Sequence, residues 1–197
     1  MRNASGPRAR AKQQSLDRIL DAAARRIREE GLDGAAIVPV MREAGLTHGA
    51  FYSHFTNKDE LACAAFARAI TTGRAQWIKP SRGESWGARL TSLAKRYLTR
   101  AHRDDLATGC AFAAVGSETA HAPEPFRAGY ERELRASLAA ICDGDESADR
   151  LDDAIALMAL CVGGLSLSRA VVDRDLSDRI LRAARETAAK LAAEQHD

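Results

Sequence analysis

Ala44-Gly45-Leu46-Thr47-His48-Gly49-Ala50-Phe51-Tyr52-Ser53-His54-Phe55-Thr56-Asn57-Lys58-Asp59-Glu60-Leu61 is the stretch that decides the fold. Gly45 suits a tight turn, because a left-handed backbone costs glycine little. Thr47 is placed to cap a short helix running through His54, with its positive end free to face phosphate. Asn57 is placed to cap a long helix from Lys58 to about Ile78. Upstream, a second short helix is expected from Val38 to Ala44. Two helices this short are not stable alone, so they need a supporting helix. Leu16, Ile19, Leu20, Ala23 and Ile27 supply it, recurring at i, i+3, i+4, i+7 and i+11. Ser15 offers its N-cap and Gly31 its stop. The three helices form a unit in which a tight turn presents the last one to a major groove.

Charge points the same way. The chain has 29 basic and 27 acidic side chains, a formal charge of +2. That average hides an asymmetry: residues 1–58 carry +4 and the remainder −2. The first sixteen residues hold Arg2, Arg8, Arg10 and Lys12 and no acid. A basic end on a near-neutral body meets a polyanion; the alternative is a solvated tail. Residues 1–14 are read as a basic flexible arm, 15–57 as the helix-turn-helix domain and 58–197 as a separate body.

The body is helical throughout. Forty of the 197 residues are alanine and only 5% are aromatic, which favours helices over strands. Lys79-Pro80-Ser81-Arg82-Gly83 breaks the chain after the long helix. Trp86, Leu90, Leu93, Tyr97, Leu98 and Ala101 then make one apolar face. Arg103 to Gly109 reads as a loop, followed by a short helix from Cys110 to about Ala120. Phe126, Tyr130, Leu134, Leu138 and Ile141 line the next helix, and Asp143 to Glu146 is a turn. Leu151, Ile155, Met158, Val162 and Leu165 have the seam spacing of packed helices. Ile180, Leu181, Ala184, Ala188 and Leu191 stripe the last helix. The fold class is all-α.

The apolar run Ala154 to Leu167 falls short of the ~18 residues a membrane helix needs, so it is read as a buried helix and no membrane partner is expected. No signal peptide is visible. Cys63, Cys110, Cys142 and Cys161 form no CxxC and no metal-ligand spacing with histidine. Free thiols in the cytoplasm, with no metal and no cofactor, are the expectation.

Arg18-Ile19-Leu20-Asp21-Ala22-Ala23 with Glu30-Gly31, and the whole Ala44–Leu61 string, resemble the tetracycline-repressor (TetR/AcrR-like) family of regulators over residues 15–62. Tyr97-Leu98, Ala101-His102-Arg103 and Gly109-Cys110 to Glu118 resemble, more weakly, its multidrug-regulator branch. The resemblance implies a dimeric repressor that leaves a palindromic double-stranded DNA operator when a small molecule binds the body, which makes residues 58–197 a ligand-binding and dimerisation domain. It implies that Thr47, His48, Gly49 and Ala50 face the groove, that Tyr52, His54 and Lys58 lie near phosphates, and that Phe51 and Phe55 anchor the helix. Arg8, Arg10 and Lys12 would follow the backbone or enter the minor groove. The chain departs from the family where Ala35-Ala36 replaces the usual Thr or Ser opening the second helix. Pro39 eases this by deleting one first-turn amide.

Candidates for lining a ligand cavity are Phe66, Trp77, Leu93, Tyr97, Cys110, Phe112, Tyr130 and Met158, each of which also reads as plain core. Cys110, after Gly109 at a helix start, is either a sensor of electrophiles or oxidants or a small buried hydrophobe. Glu118 reads as a solvent-exposed turn residue. Gly163-Gly164 inside a helix costs about 1 kcal/mol per glycine. Close approach at a homodimer interface through the last two helices explains that cost; a kink beside the cavity would also. Two other classes differ in kind. An enzyme would pair Cys110 with His102 or His121, yet nothing supplies a third group or an oxyanion site. A nucleoid-type binder or helical adaptor would lack a cavity.

Overall fold

A computed structural model describes residues 6–80 and 83–194. Residues 1–5 of the expected arm and Ser81-Arg82 of the expected breaker lie outside them. Every regular element among the described residues is helical. They are α1 (Pro7–Glu30), a 3-10 turn (Gly31–Ala35), α2 (Ile37–Glu43), α3 (His48–Phe51), α4 (Lys58–Trp77), α5 (Trp86–Tyr97), α6 (Arg100–Asp104), α7 (Ala111–Thr119), α8 (Glu124–Cys142), α9 (Ala148–Ala170) and α10 (Arg174–Glu194).

The first helix starts earlier than its expected cap. Gly6 is extended and Pro7 opens the helix, where a missing N–H costs nothing. Ser15 is therefore interior, its hydroxyl donating to Lys12 O at 2.8 Å. Residues 7–14, expected as a flexible arm, are the first turns of α1. Gly31, at φ +71°, ends the helix as expected.

The head assembles on α1. Gly45 takes φ +66°, and Leu46 N donates to Met41 O at 2.9 Å across the turn. Thr47 stands at the N-cap of α3, but its side chain makes no capping bond. The helix is also shorter than expected: it ends at Phe51, and His54 N and Phe55 N close the following turns onto Phe51 O. Asn57 caps α4 as expected. Its Oδ1 accepts from Glu60 N at 2.9 Å, while Glu60 Oε2 accepts from Thr56 N at 2.7 Å and Thr56 Oγ1 at 2.8 Å, a variant of the capping box that reaches back to the residue before the cap. The Thr56 bonds hold the Glu60 carboxyl below its ordinary value.

The body packs α4 against α8, and α10 against α5 and α9. Arg89 is buried and donates to Ile141 O, Ala140 O and Lys79 O, so one guanidinium satisfies the carbonyl end of α8 and the breaker after α4. The expected loop from Arg103 starts two residues late, because Thr99 caps α6 through His102 N.

Helix α9 corrects two expectations. It has 23 residues and is long and apolar enough, by length and composition, to cross a bilayer. It is nonetheless a packed helix, with Ala154, Leu157, Met158, Cys161, Gly164, Leu165 and Ser168 buried. The seam is partly rotated from the expected one: Met158 and Leu165 are buried as expected and Leu151 and Val162 are half-buried, but Ile155 is 47% exposed. The Gly163-Gly164 pair also divides. A Cβ on Gly164 would stand 2.9 Å from Ala184 Cβ and 3.2 Å from Leu98 Cδ2, whereas one on Gly163 would meet nothing within 4 Å. Gly164 is thus explained by close packing within the chain.

Candidate nucleic-acid interface and ligand cavity

The head is fixed from inside by two aromatic rings. Phe51 and Phe55 are buried and stack 5.7 Å apart. They hold the chain so that Thr47, His48 and Gly49 lie toward solvent and Ala50 is half-buried. A Cβ on Gly49 would meet nothing within 4 Å, so no contact inside the chain accounts for this glycine. Tyr52 is exposed, edge-on to His48 with ring centroids 5.6 Å apart. Lys58 is exposed, with Asp33 3.5 Å away, a pairing worth little in solvent. Arg8, Arg10 and Lys12 are exposed along the first turns of α1.

His54 is placed differently from these. It is half-buried, and its Nε2 is hydrogen-bonded to Ser15 Oγ at 2.8 Å. Its ring ties the end of the α3 region to α1. Burial, and then the nearby Lys12 charge, lower its pKa. Ion pairs from α1 lock the remaining helices: Arg25 with Glu43 of α2, and Asp17 and Asp21 with Arg68 of α4.

A cavity of about 290 Å³ lies in the body among α4, α5, the 105–110 segment, α7 and α9. Of the expected lining residues, it brings together Trp77, Tyr97, Cys110, Phe112 and Met158. The other three are displaced from it. Phe66 stacks on Tyr130 with centroids 5.4 Å apart and also meets Phe112 and Phe126, making an aromatic cluster beside the cavity. Leu93 is core, and its carbonyl accepts from Trp77 Nε1 at 2.9 Å. Sequence reasoning missed His102 and Thr108 as lining residues, along with Arg74 and Arg96. Thr108 lies in a loop, where no helical periodicity marks it, and His102, Arg74 and Arg96 are polar residues that a search for an apolar face passes over.

Cys110 is the N-cap residue of α7, and its side chain makes no capping bond. It shares the cavity wall with His102. The two do not hydrogen-bond; His102 Nδ1 lies 2.8 Å from Tyr97 O instead. The four cysteines are unpaired. Among the described residues, no group of three or more His, Cys, Asp or Glu side chains is placed to hold a metal ion.

Two further side chains tie α1 and the turn after it to the body. Arg28 of α1 donates to Ala69 O of α4 at 2.8 Å and to Ala107 O at 3.4 Å. Its buried Nε has no hydrogen-bond partner among the described residues, and burial lowers its pKa. Glu118 is exposed, but it lies on helix α7 and does more than the expected turn residue would. Its Oε2 accepts from Leu32 N at 3.0 Å, just past the end of α1.

Residues 19–65 match the family described as bacterial regulatory proteins, tetR family. No curated protein matches the chain. Solved structures share its fold over nearly the whole length. Reduced NemR of E. coli superposes with a TM-score of 0.71 at 17% identity, covering 90% of this chain and 96% of that one. A TetR-family regulator of Cytophaga hutchinsonii gives 0.68 at 19% identity, covering 94% and 96%. A transcriptional regulator of Rhodococcus sp. gives 0.63 at 23%, covering 94% and 97%. Residues 19–65 therefore match the tetR family of bacterial regulatory proteins, and the chain as a whole has the all-helical fold of solved structures that include a TetR-family regulator.

Proposed function

We propose that the chain is a cytoplasmic, ligand-responsive transcriptional regulator of the multidrug-regulator type. It acts as a repressor that binds a palindromic operator as a homodimer and leaves it when a small hydrophobic effector binds. The observation that carries this reading is the solvent-facing run Thr47–Gly49 at the start of α3, backed by buried Phe51 and Phe55 and lying inside the family match. In the docked complex these residues and Ala50 face the major groove, while Tyr52 and Lys58 hold phosphates. Arg8, Arg10 and Lys12 add cationic reach on α1. His54 serves the phosphate side through the orientation its bond to Ser15 gives it.

Support for a dimer through the last two helices comes from apolar residues left uncovered there. Ile155, Ala159 and Leu167 on α9, and Leu176 and Ala183 on α10, are exposed at helical spacing. Two such pairs of helices make a four-helix interface, and a palindromic site needs two heads. The effector occupies the 290 Å³ cavity and favours a conformer whose heads are wrongly spaced, so DNA affinity falls by the coupling energy. Helix α4 is the pivot, since it runs from Lys58 in the head to Trp77 in the cavity wall.

The test is a gel-shift titration against DNA from upstream of the chain's own gene, with and without a panel of hydrophobic compounds. Specific retardation, reversed by at least one compound, is expected. Retardation no stronger than on unrelated DNA would overturn the reading.

A further inference from the structure

The walls of the cavity indicate what it holds. Trp77, Phe112, Ile70 and Met158 make them aromatic and apolar. Most polar groups of the lining are already engaged. Trp77 Nε1 donates to Leu93 O, Ser137 Oγ donates to Glu133 O, and Thr108 Oγ1 donates to Asp105 Oδ2. Of the charged residues in the lining, Arg74 is ion-paired, whereas Arg96 and Asp105 lie on the solvent-exposed side and bond to neutral groups. Arg74 faces Glu133 at 3.4 Å, and Arg96 donates to Trp77 O at 2.6 Å.

Tyr97 Oη stands apart. Tyr97 is 3% exposed, and its hydroxyl has no hydrogen-bond partner among the described residues. A buried hydroxyl left unpaired is costly. Its polar neighbour is the Cys110 thiol, one of the weakest acceptors a side chain offers. A ligand oxygen is a better partner. Burial pushes the Tyr97 phenol far up, so it remains a donor. The backbone carbonyl of Tyr97 can only accept, so His102 Nδ1 carries the proton it gives there. Burial lowers the pKa of this imidazole, which keeps it uncharged near neutral pH. The buried polar end of the cavity therefore offers a neutral donor, with the Arg96 and Asp105 charges at its solvent-exposed side. At about 30 Å³ per water, 290 Å³ is the room of about ten waters.

We propose that this cavity takes a small uncharged aromatic molecule, of one or two rings, carrying an oxygen that accepts a hydrogen bond from Tyr97 Oη. A charged group held at Tyr97 Oη would lose its hydration without gaining a buried counter-charge. The inference rests on the effector reading for its consequence on DNA, but the binding itself is measured on the free chain.

Three compounds of nearly equal size separate the possibilities: acetophenone, its oxygen-free relative ethylbenzene, and the anion benzoate. Calorimetric titration of the full chain and of Tyr97→Phe is the measurement. The variant removes only an unpaired hydroxyl, so its melting temperature should equal or exceed that of the wild type. Tyr97→Phe should weaken acetophenone binding about tenfold, because a site built to hydrogen-bond a ligand oxygen loses that discrimination. Ethylbenzene should bind both proteins alike, and benzoate should bind least. Equal effects on acetophenone and ethylbenzene, tightest binding by benzoate, or binding of none of the three would overturn the proposal. Each of those results leaves specific DNA retardation by the ligand-free chain intact. Conversely, loss of specific retardation with acetophenone binding unchanged would sink the regulator reading alone.

Discussion

At the scale of single residues, Gly49 separates the needs of the fold from those of the interface. A helical glycine costs about 1 kcal/mol relative to alanine, and the space around its missing Cβ is empty. Gly49→Ala should therefore raise stability by up to about 1 kcal/mol while weakening DNA binding; thermal melts and anisotropy titrations would check the two halves. Tyr52→Phe with Lys58→Ala should weaken binding to every sequence and lower the salt slope by about one, for the single cation removed. Changes at His48 should instead alter sequence preference. The two half-buried histidines give a pH signature. Burial lowers His54 and His102, so the unfolded chain takes up their protons more readily. Their contribution is fully present above the ordinary value of about 6.5 and is lost as pH falls through it. The melting temperature should fall between about pH 7.5 and 5.5, and the fall should be largely removed in His54→Gln/His102→Gln.

At the scale of elements, the cavity and the head are joined through α1. Arg28 reaches from α1 to the carbonyls of Ala69 on α4 and Ala107 in the 105–110 segment, and Ala69 itself lines the cavity. Arg28→Gln should leave effector affinity within about twofold but blunt DNA release, because coupling between two sites is commonly ~1–3 kcal/mol. Paired calorimetry and gel shifts would check this. The glycine pair in α9 offers a second contrast. Gly164→Ala places a methyl against Ala184 and Leu98 and should destabilise the fold by about 1–3 kcal/mol. Gly163→Ala should not, and at the proposed dimer face it should promote monomers in sedimentation runs. Only some of these elements are legible in the sequence. The Asn57 cap and the Gly45 turn can be read because each makes a local, sequence-near interaction. The true start of α1 cannot, because the basic run before Ser15 has no apolar rhythm. The rotation of α9 escapes for a related reason: with alanines and glycines between Ile155 and Leu167, several faces are almost equally apolar. An aromatic residue such as Phe66 or Tyr130 looks the same in a sequence whether it faces the cavity or a neighbouring ring.

At the scale of the whole molecule, a net charge of +2 is the sum of two unlike parts, +4 over residues 1–58 and −2 beyond. The basic part is the head, with Arg8, Arg10 and Lys12 extending it along α1 rather than as a free extension. The body supplies the cavity and the uncovered faces of α9 and α10. The most direct measurement of the central claim is a footprint of the purified chain on DNA upstream of its own gene, run alongside the Tyr52→Phe/Lys58→Ala variant. Two protected half-sites are expected, with centres about 34–36 Å apart or a multiple of that spacing, and both should be lost in the variant. Protection without sequence preference, or a variant that protects as the wild type does, would contradict it.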